Sequence, residues 1–173
     1  VALSSAGLYF PFLLKGKSRM PVAIMAMGIV FNLLNGMMQA GGLFYFAPEG
    51  LYADGWAYLL KPHALLGVIL FFAGMFVNLH SDYVIRHLRR PGDTKHYLPG
   101  KGLYRYVTSA NYFGELVEWT GFAILTASPA AWVFVWWTFA NLVPRADAIH
   151  RRYREEFGDE AVGKRKRIIP FLY

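Results

Sequence analysis

The sequence of 173 residues contains no cysteine. That absence excludes disulfide bonds, thiolate catalysis, cysteine-ligated zinc and iron–sulfur clusters. Charged residues are also scarce, at 17% against about 25% in an ordinary soluble domain. Hydrophobic residues reach 55% and aromatic residues 17%, which excludes an intrinsically disordered chain. The net charge of +7 would indicate nucleic acid only on a basic face of a soluble module, and this chain is too apolar for that class.

Long apolar runs dominate what is present. Four stretches are long enough to approach the roughly 20 residues that a helix needs to cross a bilayer. They cover residues 21–46, 62–79, about 106–127 and about 129–143. The sequence therefore predicts an all-α, multi-pass transmembrane helical bundle, forming a single domain over residues 1–173. A soluble all-helical bundle is the alternative, but its helices would need polar outer faces that these stretches barely have.

The basic residues are distributed unevenly among the connections. Seventeen of the eighteen lie in residues 15–20, 80–105 and 144–173, which are alternate connections of a four-crossing array. This is the positive-inside pattern, so we expect these connections on the cytoplasmic side. Residues 145–158 are too polar to span a membrane and predict an amphipathic cytoplasmic helix that ends at Gly158. The cluster at residues 164–167 is interpreted as solvated or as facing lipid headgroups.

Helix starts and the first residues complete this prediction. Pro21, Pro62 and Pro129 stand where helices begin, since a first-turn residue has no need of its N–H. Residues 1–14 are apolar but short, with no basic leader before them. We interpret them as the end of a further helix rather than as a signal peptide.

Each predicted helix carries one stripe of polar residues, and polar groups inside a membrane are costly and often functional. The spacing places each set on one helix face, and most lie toward the cytoplasmic end. The alternative role is hydrogen bonding between helices. The stripes predict a pocket for a large polar ligand that enters from the cytoplasm. In chain order, the four stripes are Asn32, Asn35 and Gln39, then Asn78 and Asp82, then Asn111, Glu115 and Glu118, and finally Asn141 and Arg145.

Arginine and lysine side chains follow these stripes in the chain, in loop 80–105 and at Arg145, Arg151 and Arg152. Guanidinium groups suit phosphate oxygens, so a phosphorylated nucleotide and a lipid headgroup are both plausible ligands. The sequence has neither a dinucleotide-binding glycine motif after a strand nor a P-loop. The five histidines show no paired spacing on a helix, so we expect no metal site.

Several ordered motifs resemble the steroid 5α-reductase family. They are Asn78-Leu79-His80-Ser81-Asp82-Tyr83, Arg89-Arg90-Pro91-Gly92, the stretch from Gly102 to Glu115, Glu118-Trp119, and the ending Arg167-Ile168-Ile169-Pro170-Phe171-Leu172-Tyr173. The resemblance implies NADPH-dependent reduction of the C4–C5 double bond of a 3-oxo-Δ4-steroid, in a seven-helix membrane fold of which about five helices are represented. It also implies a bacterial member in an inner membrane, rather than a protein of the endoplasmic reticulum.

The resemblance implies a set of cofactor-binding residues. Lys17 and Arg19, with Lys15, match a basic cofactor loop, and His150 falls in a thinner version of the family's histidine cluster. The positions that match residues holding the dinucleotide are Asn78, Asp82, Arg89, Asn111, Glu115, Arg145 and Tyr153. We expect Glu115 to accept hydrogen bonds from the cofactor, for example from the nicotinamide carboxamide.

One feature of the family has no match. Its members polarise the 3-oxo group with a Gln-Glu pair in the second helix and a tyrosine near the third, and residues 1–20 show no such pair. We therefore expect the chain to lack about two N-terminal helices of the family fold, and we assign no catalytic residue.

Alternative functions remain open. A trans-2-enoyl-CoA reductase of fatty-acid elongation performs the same hydride addition and has a similar ending. The methyltransferases that modify isoprenylcysteine share the scaffold, but Ser109-Ala110-Asn111 stands where they have Arg-His-Pro, which disfavours S-adenosylmethionine. A non-enzymatic membrane protein that binds lipid would have no affinity for nucleotide.

Overall fold

The computed structural model describes residues 22–88, 93 and 95–173. The chain divides between Leu51 and Tyr52 into two compact units, which are taken in turn. The described part is helical and has no strand, apart from one isolated bridge between Val107 and Lys166. This confirms the predicted all-α class.

The first unit contains one long helix, α1, Val22–Phe44. Its polar residues lie on one face, as the spacing predicts, and two of them bond within the helix. Asn32 Nδ2 donates to the Gly28 carbonyl at 2.8 Å, and Gln39 Nε2 donates to Asn35 Oδ1 at 3.4 Å. The apolar side chains are largely exposed, including Ile29, Leu33 and Met37. Pro21, the predicted helix start, lies outside the described residues.

The second unit opens with a 3-10 helix, Gly55–Leu60, and the helix α2, Pro62–Arg86. Pro62 occupies the first turn of α2, as predicted. At 1.5 Å per residue, its 25 residues span about 37 Å, more than the roughly 30 Å hydrocarbon core of a bilayer. Among the described residues, α2 is the one helix long and apolar enough to be a candidate membrane span. It extends beyond the predicted end at residue 79, so Ser81 and Asp82 are helical.

Helix α3, Ala110–Thr126, packs along α2 through two pairs of glycines. A Cβ at Gly74 would meet the backbone of Glu118 and Gly114, and one at Gly67 would meet the backbone of Leu125 and Gly121. Each helix therefore presents glycines seven residues apart, and the pairing order shows that the helices are antiparallel. With no side chain between them, the two backbones come into direct contact.

The polypeptide between α2 and α3 differs from the prediction of a helix from residue 106. After a 3-10 helix at Gly102–Arg105, the backbone of residues 106–109 is not helical. It pairs instead with the C-terminal segment: Lys166 N–H donates to the Tyr106 carbonyl at 2.8 Å, and Thr108 N–H donates to the Lys166 carbonyl at 2.9 Å. Buried backbone groups need hydrogen-bond partners, and here the C-terminal segment supplies them in place of a further helical turn.

Helix α4, Pro129–Phe157, is continuous, so the predicted amphipathic helix at 145–158 is wrong as a separate element. Pro144 lies inside it and leaves one carbonyl of the preceding turn without its helical N–H. Gly158, with φ of 83°, ends the helix, as predicted, before the single turn α5, Asp159–Val162. The C-terminal segment then returns to residues 106–109 and buries Ile168 completely.

Candidate functional site

The close packing of α2 and α3 brings their predicted polar residues to one end of the helix pair. Asn78 is buried, and a Cβ at Gly114 would meet its backbone. Since the helices are antiparallel, the residues that follow Asn78 in α2 approach the first turn of α3, where Asn111 lies. Asp82 is one helical turn beyond Asn78 and is half-buried.

Tyr104, in the short 3-10 helix, joins these residues. Its side chain is almost fully buried, at 1% exposure, and its hydroxyl donates to Asn111 Oδ1 at 3.4 Å. Burial raises the pKa of the Tyr104 phenol well above its ordinary value, and Asp82 and Tyr153 act electrostatically in the same direction. The phenol therefore stays protonated and available as a donor at neutral pH.

Glu115, on α3, lies near charged groups of both α2 and α4. Its carboxylate lies within electrostatic range of Asp82 and of the Arg145 guanidinium. Tyr112, one turn before Glu115, interacts with all three of these charged groups. The polar cluster, as we call this site, thus receives residues from three helices and one connection; its members are Asp82, Tyr104, Asn111, Tyr112, Glu115, Arg145 and Tyr153.

Five of the ten residues predicted to hold a cofactor fall in the polar cluster: Asp82, Asn111, Glu115, Arg145 and Tyr153. Asn78 lies buried at its edge. Arg89, Lys17 and Arg19 lie outside the described residues.

His150 occupies a different environment. It lies five residues after Arg145, about 140° around α4, and is buried against the connection before α3. Its Nδ1 is 3.3 Å from Thr108 Oγ1, and Thr108 also donates to the Arg167 carbonyl. Burial lowers the pKa of His150, and the nearby guanidinium of Arg167 lowers it further. The structure therefore places a neutral imidazole beneath the C-terminal segment, where its hydrogen bond is with Thr108 and not with a member of the polar cluster.

Two other polar residues of the predicted stripes also lie apart from the cluster. Glu118 is 2% exposed and packs where α2 passes at Gly74. Asn141 is exposed and donates to the Trp137 carbonyl of its own helix at 2.8 Å. The stripes therefore divide into residues that form the site and residues that pack between helices or bond within their own helix.

Sequence reasoning missed Tyr104 and Tyr112. Both lie inside the stretch from Gly102 to Glu115, and Tyr112 precedes Glu115 by three residues, which puts the two on neighbouring positions of one helix face. That spacing was a usable signal. Tyr104 had no such signal, because only the fold of the connection brings it over Asn111.

The chemistry of the polar cluster suits one class of ligand. Carboxylates accept hydrogen bonds from amides and hydroxyl groups, whereas a guanidinium donates to phosphate oxygens. Asp82 and Glu115 supply the first kind of group, Arg145 supplies the second, and the phenols can act as donors. A ligand with an amide, hydroxyl groups and phosphates fits this set, and a dinucleotide carries all three.

The fold and the site thus define a class of protein: a helical protein that gathers a polar, dinucleotide-compatible site between apolar helices. The family model for 3-oxo-5-alpha-steroid 4-dehydrogenase matches residues 18–173. The chain belongs to this family, which confirms the resemblance found in the sequence.

Curated relatives agree. The chain is 43% identical over 166 residues to 3-oxo-5-alpha-steroid 4-dehydrogenase 1 of Macaca fascicularis, covering 96% of the chain and 61% of that protein. It is 41% identical to the enzyme of the same name from Bos taurus, over 99% of the chain and 65% of the relative. It is also 36% identical to steroid 5-alpha-reductase DET2 of Arabidopsis thaliana, over 91% of the chain and 59% of that protein.

The chain spans about three fifths of the length of the relatives it matches. These relatives come from mammals and a plant, and they do not test the predicted bacterial origin.

Proposed function

We propose that the protein is an NADPH-dependent membrane reductase that saturates the C4–C5 double bond of a 3-oxo-Δ4-steroid. The observation that carries the proposal is the polar cluster, in which Asp82 and Arg145 lie within electrostatic range of Glu115. The names of the relatives, which are steroid dehydrogenases and reductases, indicate the substrate class.

The proposal includes a multi-pass arrangement. One face of α2 packs on α3 through glycine, while the other exposes Leu65, Ile69, Phe72 and Phe76. A helix of a soluble protein would carry polar residues there. Lipid is the medium in which such a face is stable, and the basic connections then lie on the cytoplasmic side.

NADPH, when bound, would supply the hydride that the reduction requires. The residues present fit such a cofactor: Arg145 would bind a phosphate, Glu115 would accept hydrogen bonds from the carboxamide, and Asp82 would accept them from ribose hydroxyls. The protonated phenol of Tyr104 positions Asn111 at the same site. Arg89, Lys17 and Arg19 are further cofactor-binding residues by the family resemblance alone, since they lie outside the described residues.

In this proposal, the residues of the chain orient the reactants and keep water out of the site. A conjugated enone accepts hydride at its β-carbon only while negative charge on its carbonyl oxygen is stabilised. The helices would hold the hydride donor in one orientation, and the apolar side chains around the site would keep water out of it. No residue of this chain is assigned to the carbonyl oxygen, since the family's Gln-Glu pair has no match in it.

The test is spectrophotometric. Purified protein in detergent is mixed with NADPH and a 3-oxo-Δ4-steroid, and the loss of reduced-nicotinamide absorbance is followed beside direct measurement of NADPH binding. A matched reaction replaces the steroid by a trans-2-enoyl thioester. We expect NADPH binding and oxidation with the steroid. Turnover of the thioester alone would assign the protein to fatty-acid elongation, and no affinity for NADPH would contradict the proposal.

A further inference from the structure

A cavity of about 570 Å³ lies on the C-terminal segment, among residues that the proposed reduction does not use. Its walls come from the connection before α3 and from the chain after α5. The lining includes four basic side chains and no acidic one: Arg105, Lys164, Arg165 and Lys166. Positive charges around one cavity repel one another, and this repulsion destabilises the protein unless a bound anion offsets it.

The basic residues have few partners inside the protein. Arg165 donates to the Pro99 carbonyl at 2.9 Å. Arg105, Lys164 and Lys166 are exposed and form no ion pair with any residue that the structure describes. The neighbouring Asp159 is already paired with Arg154 at 2.5 Å. Positive charge in the cavity is therefore left for a ligand.

An apolar wall stands beside these charges. Phe171 lies against Tyr106, with ring centroids 5.2 Å apart, and both side chains are substantially exposed. Phe171 has φ of 67°, a left-handed backbone conformation that is unusual for a bulky residue. Strain of this kind persists where the surrounding structure holds it and often marks a functional site. Here the left-handed backbone at Phe171 places its exposed aromatic ring at the cavity.

The backbone of the cavity is fixed on both sides. Lys166 pairs with Tyr106 through its N–H and with Thr108 through its carbonyl. Gly163, with φ of 62°, turns the chain between α5 and the basic residues. The basic side chains of the cavity therefore extend from a backbone that hydrogen bonds fix in place.

We propose that this cavity binds the phosphate of an anionic phospholipid headgroup, with Phe171 and Tyr106 against the first part of its acyl region. Basic side chains attract anionic lipids at the cytoplasmic surface, and aromatic rings are favoured where headgroups meet hydrocarbon. The cavity is distinct from the polar cluster, as no residue lines both. The inference rests on the proposed membrane placement, but not on the bound cofactor.

The experiment titrates detergent-solubilised protein with short-chain phosphatidylglycerol and, separately, with phosphatidylcholine of the same chain length, and measures binding by calorimetry. We expect tight binding of phosphatidylglycerol alone. The double substitution Lys164→Gln and Lys166→Gln should weaken it roughly thirtyfold, since each basic residue near an anionic surface contributes about 1 kcal/mol. The control Lys95→Gln with Lys101→Gln removes the same charge outside the cavity and should leave the affinity unchanged.

A second pair tests the apolar wall. Phe171→Ala should weaken phosphatidylglycerol binding, whereas Leu172→Ala, which removes an equally exposed apolar side chain outside the cavity, should not. NADPH affinity, measured on the Lys164/Lys166, Phe171 and Leu172 variants, should stay constant and shows that each has folded.

Three results would overturn the inference: equal affinity for phosphatidylcholine, an equal loss in the two lysine pairs, or displacement of the lipid by NADPH. The last would assign the cavity to the cofactor's phosphate. Absence of NADPH binding in the unaltered protein would instead contradict the proposed reductase function, and lipid binding would still be measurable.

Discussion

Glu115 and Arg145 bring opposite charges into a site surrounded by apolar helices, and Asp82 adds a second carboxylate. Two carboxylates near one guanidinium leave acceptor capacity for a ligand. The amide and hydroxyl groups of a dinucleotide can use that capacity. At this scale, the site is defined by the chemistry of a few side chains.

Replacing Glu115 with Gln tests this directly. The substitution keeps the size but removes the negative charge and one acceptor oxygen, so a charge-assisted hydrogen bond from the cofactor is lost. A hydrogen bond to a charged group contributes about 1.5–3 kcal/mol, so we expect NADPH affinity to fall by about tenfold or more, with steroid affinity nearly unchanged. Calorimetric titration of each ligand measures both.

The matched control is Glu155→Gln, which alters an exposed carboxylate on α4. It should change neither affinity. A larger effect of Glu115→Gln on the steroid than on NADPH would contradict the assignment.

His150 gives a pH-dependent prediction. Because its pKa is lowered in the folded protein from the ordinary 6.5, the unfolded chain binds more protons below that value. Stability therefore rises with pH toward about 6.5 and falls as the pH drops below it. We expect the melting temperature to fall between about pH 7 and pH 5.5, and His150→Gln to make the profile flatter.

The exposed His87 supplies the comparison. His87→Gln should leave the slope of melting temperature against pH as it is in the unaltered protein. If His150→Gln also leaves the slope unaltered, the buried imidazole does not couple folding to protons.

Between elements, the contact of α2 with α3 depends on glycine. A methyl group at Gly74 would strike the backbone of Glu118, which cannot move as a side chain can. Overpacking of this kind costs about 1–3 kcal/mol. We therefore expect Gly74→Ala to lower the free energy of unfolding by that amount, measured by thermal or denaturant unfolding in detergent.

Gly36 offers the matched test, because a methyl group there meets nothing within 4 Å. Gly36→Ala should be neutral or stabilise by up to about 1 kcal/mol, since alanine loses less backbone entropy in a helix. Equal effects at the two positions would contradict the packing argument.

The C-terminal end of α3 is held by two tyrosines that precede α2, one of them in the 3-10 helix Gly55–Leu60. Tyr58 hydroxyl donates to the Leu125 carbonyl at 2.9 Å, and Tyr52 hydroxyl donates to the Thr126 carbonyl. These carbonyls have no helical partner. Tyr58→Phe should cost about 1 kcal/mol of stability, whereas Tyr45→Phe, at an exposed position, should cost nothing measurable in the same unfolding assay.

At the scale of the molecule, the arrangement in the membrane is the main prediction. Because the sequence contains no cysteine, a single introduced cysteine is the one thiol that a maleimide can label, and its labelling shows on which side of the membrane it lies. In sealed, right-side-out vesicles, a membrane-impermeant maleimide should label Ala53→Cys at once and Lys95→Cys only after permeabilisation. The unaltered chain is the blank. Labelling of both positions from outside would exclude the proposed crossing of α2.

Composition, apolar runs and the placement of charge were sufficient for the helical class, for the starts of α2 and α4 and for the end of α4 at Gly158. These features follow from local rules: proline has no backbone N–H, glycine adopts positive φ values, and an uninterrupted apolar run of sufficient length favours a long helix. Motifs identified the family, because their order and residue types are specific.

Tertiary contacts decided the rest. Residues 106–109 are not helical because their N–H and C=O groups pair with a segment about 60 residues away, which no local pattern can show. Glu115 lies in the polar cluster while Glu118, on the same helical stripe, packs where α2 passes at Gly74, because the glycine contact sets how α3 is rotated against α2. The sequence thus determined which polar groups each helix carries, and only the packing of the helix backbones decided which of these groups lie close together.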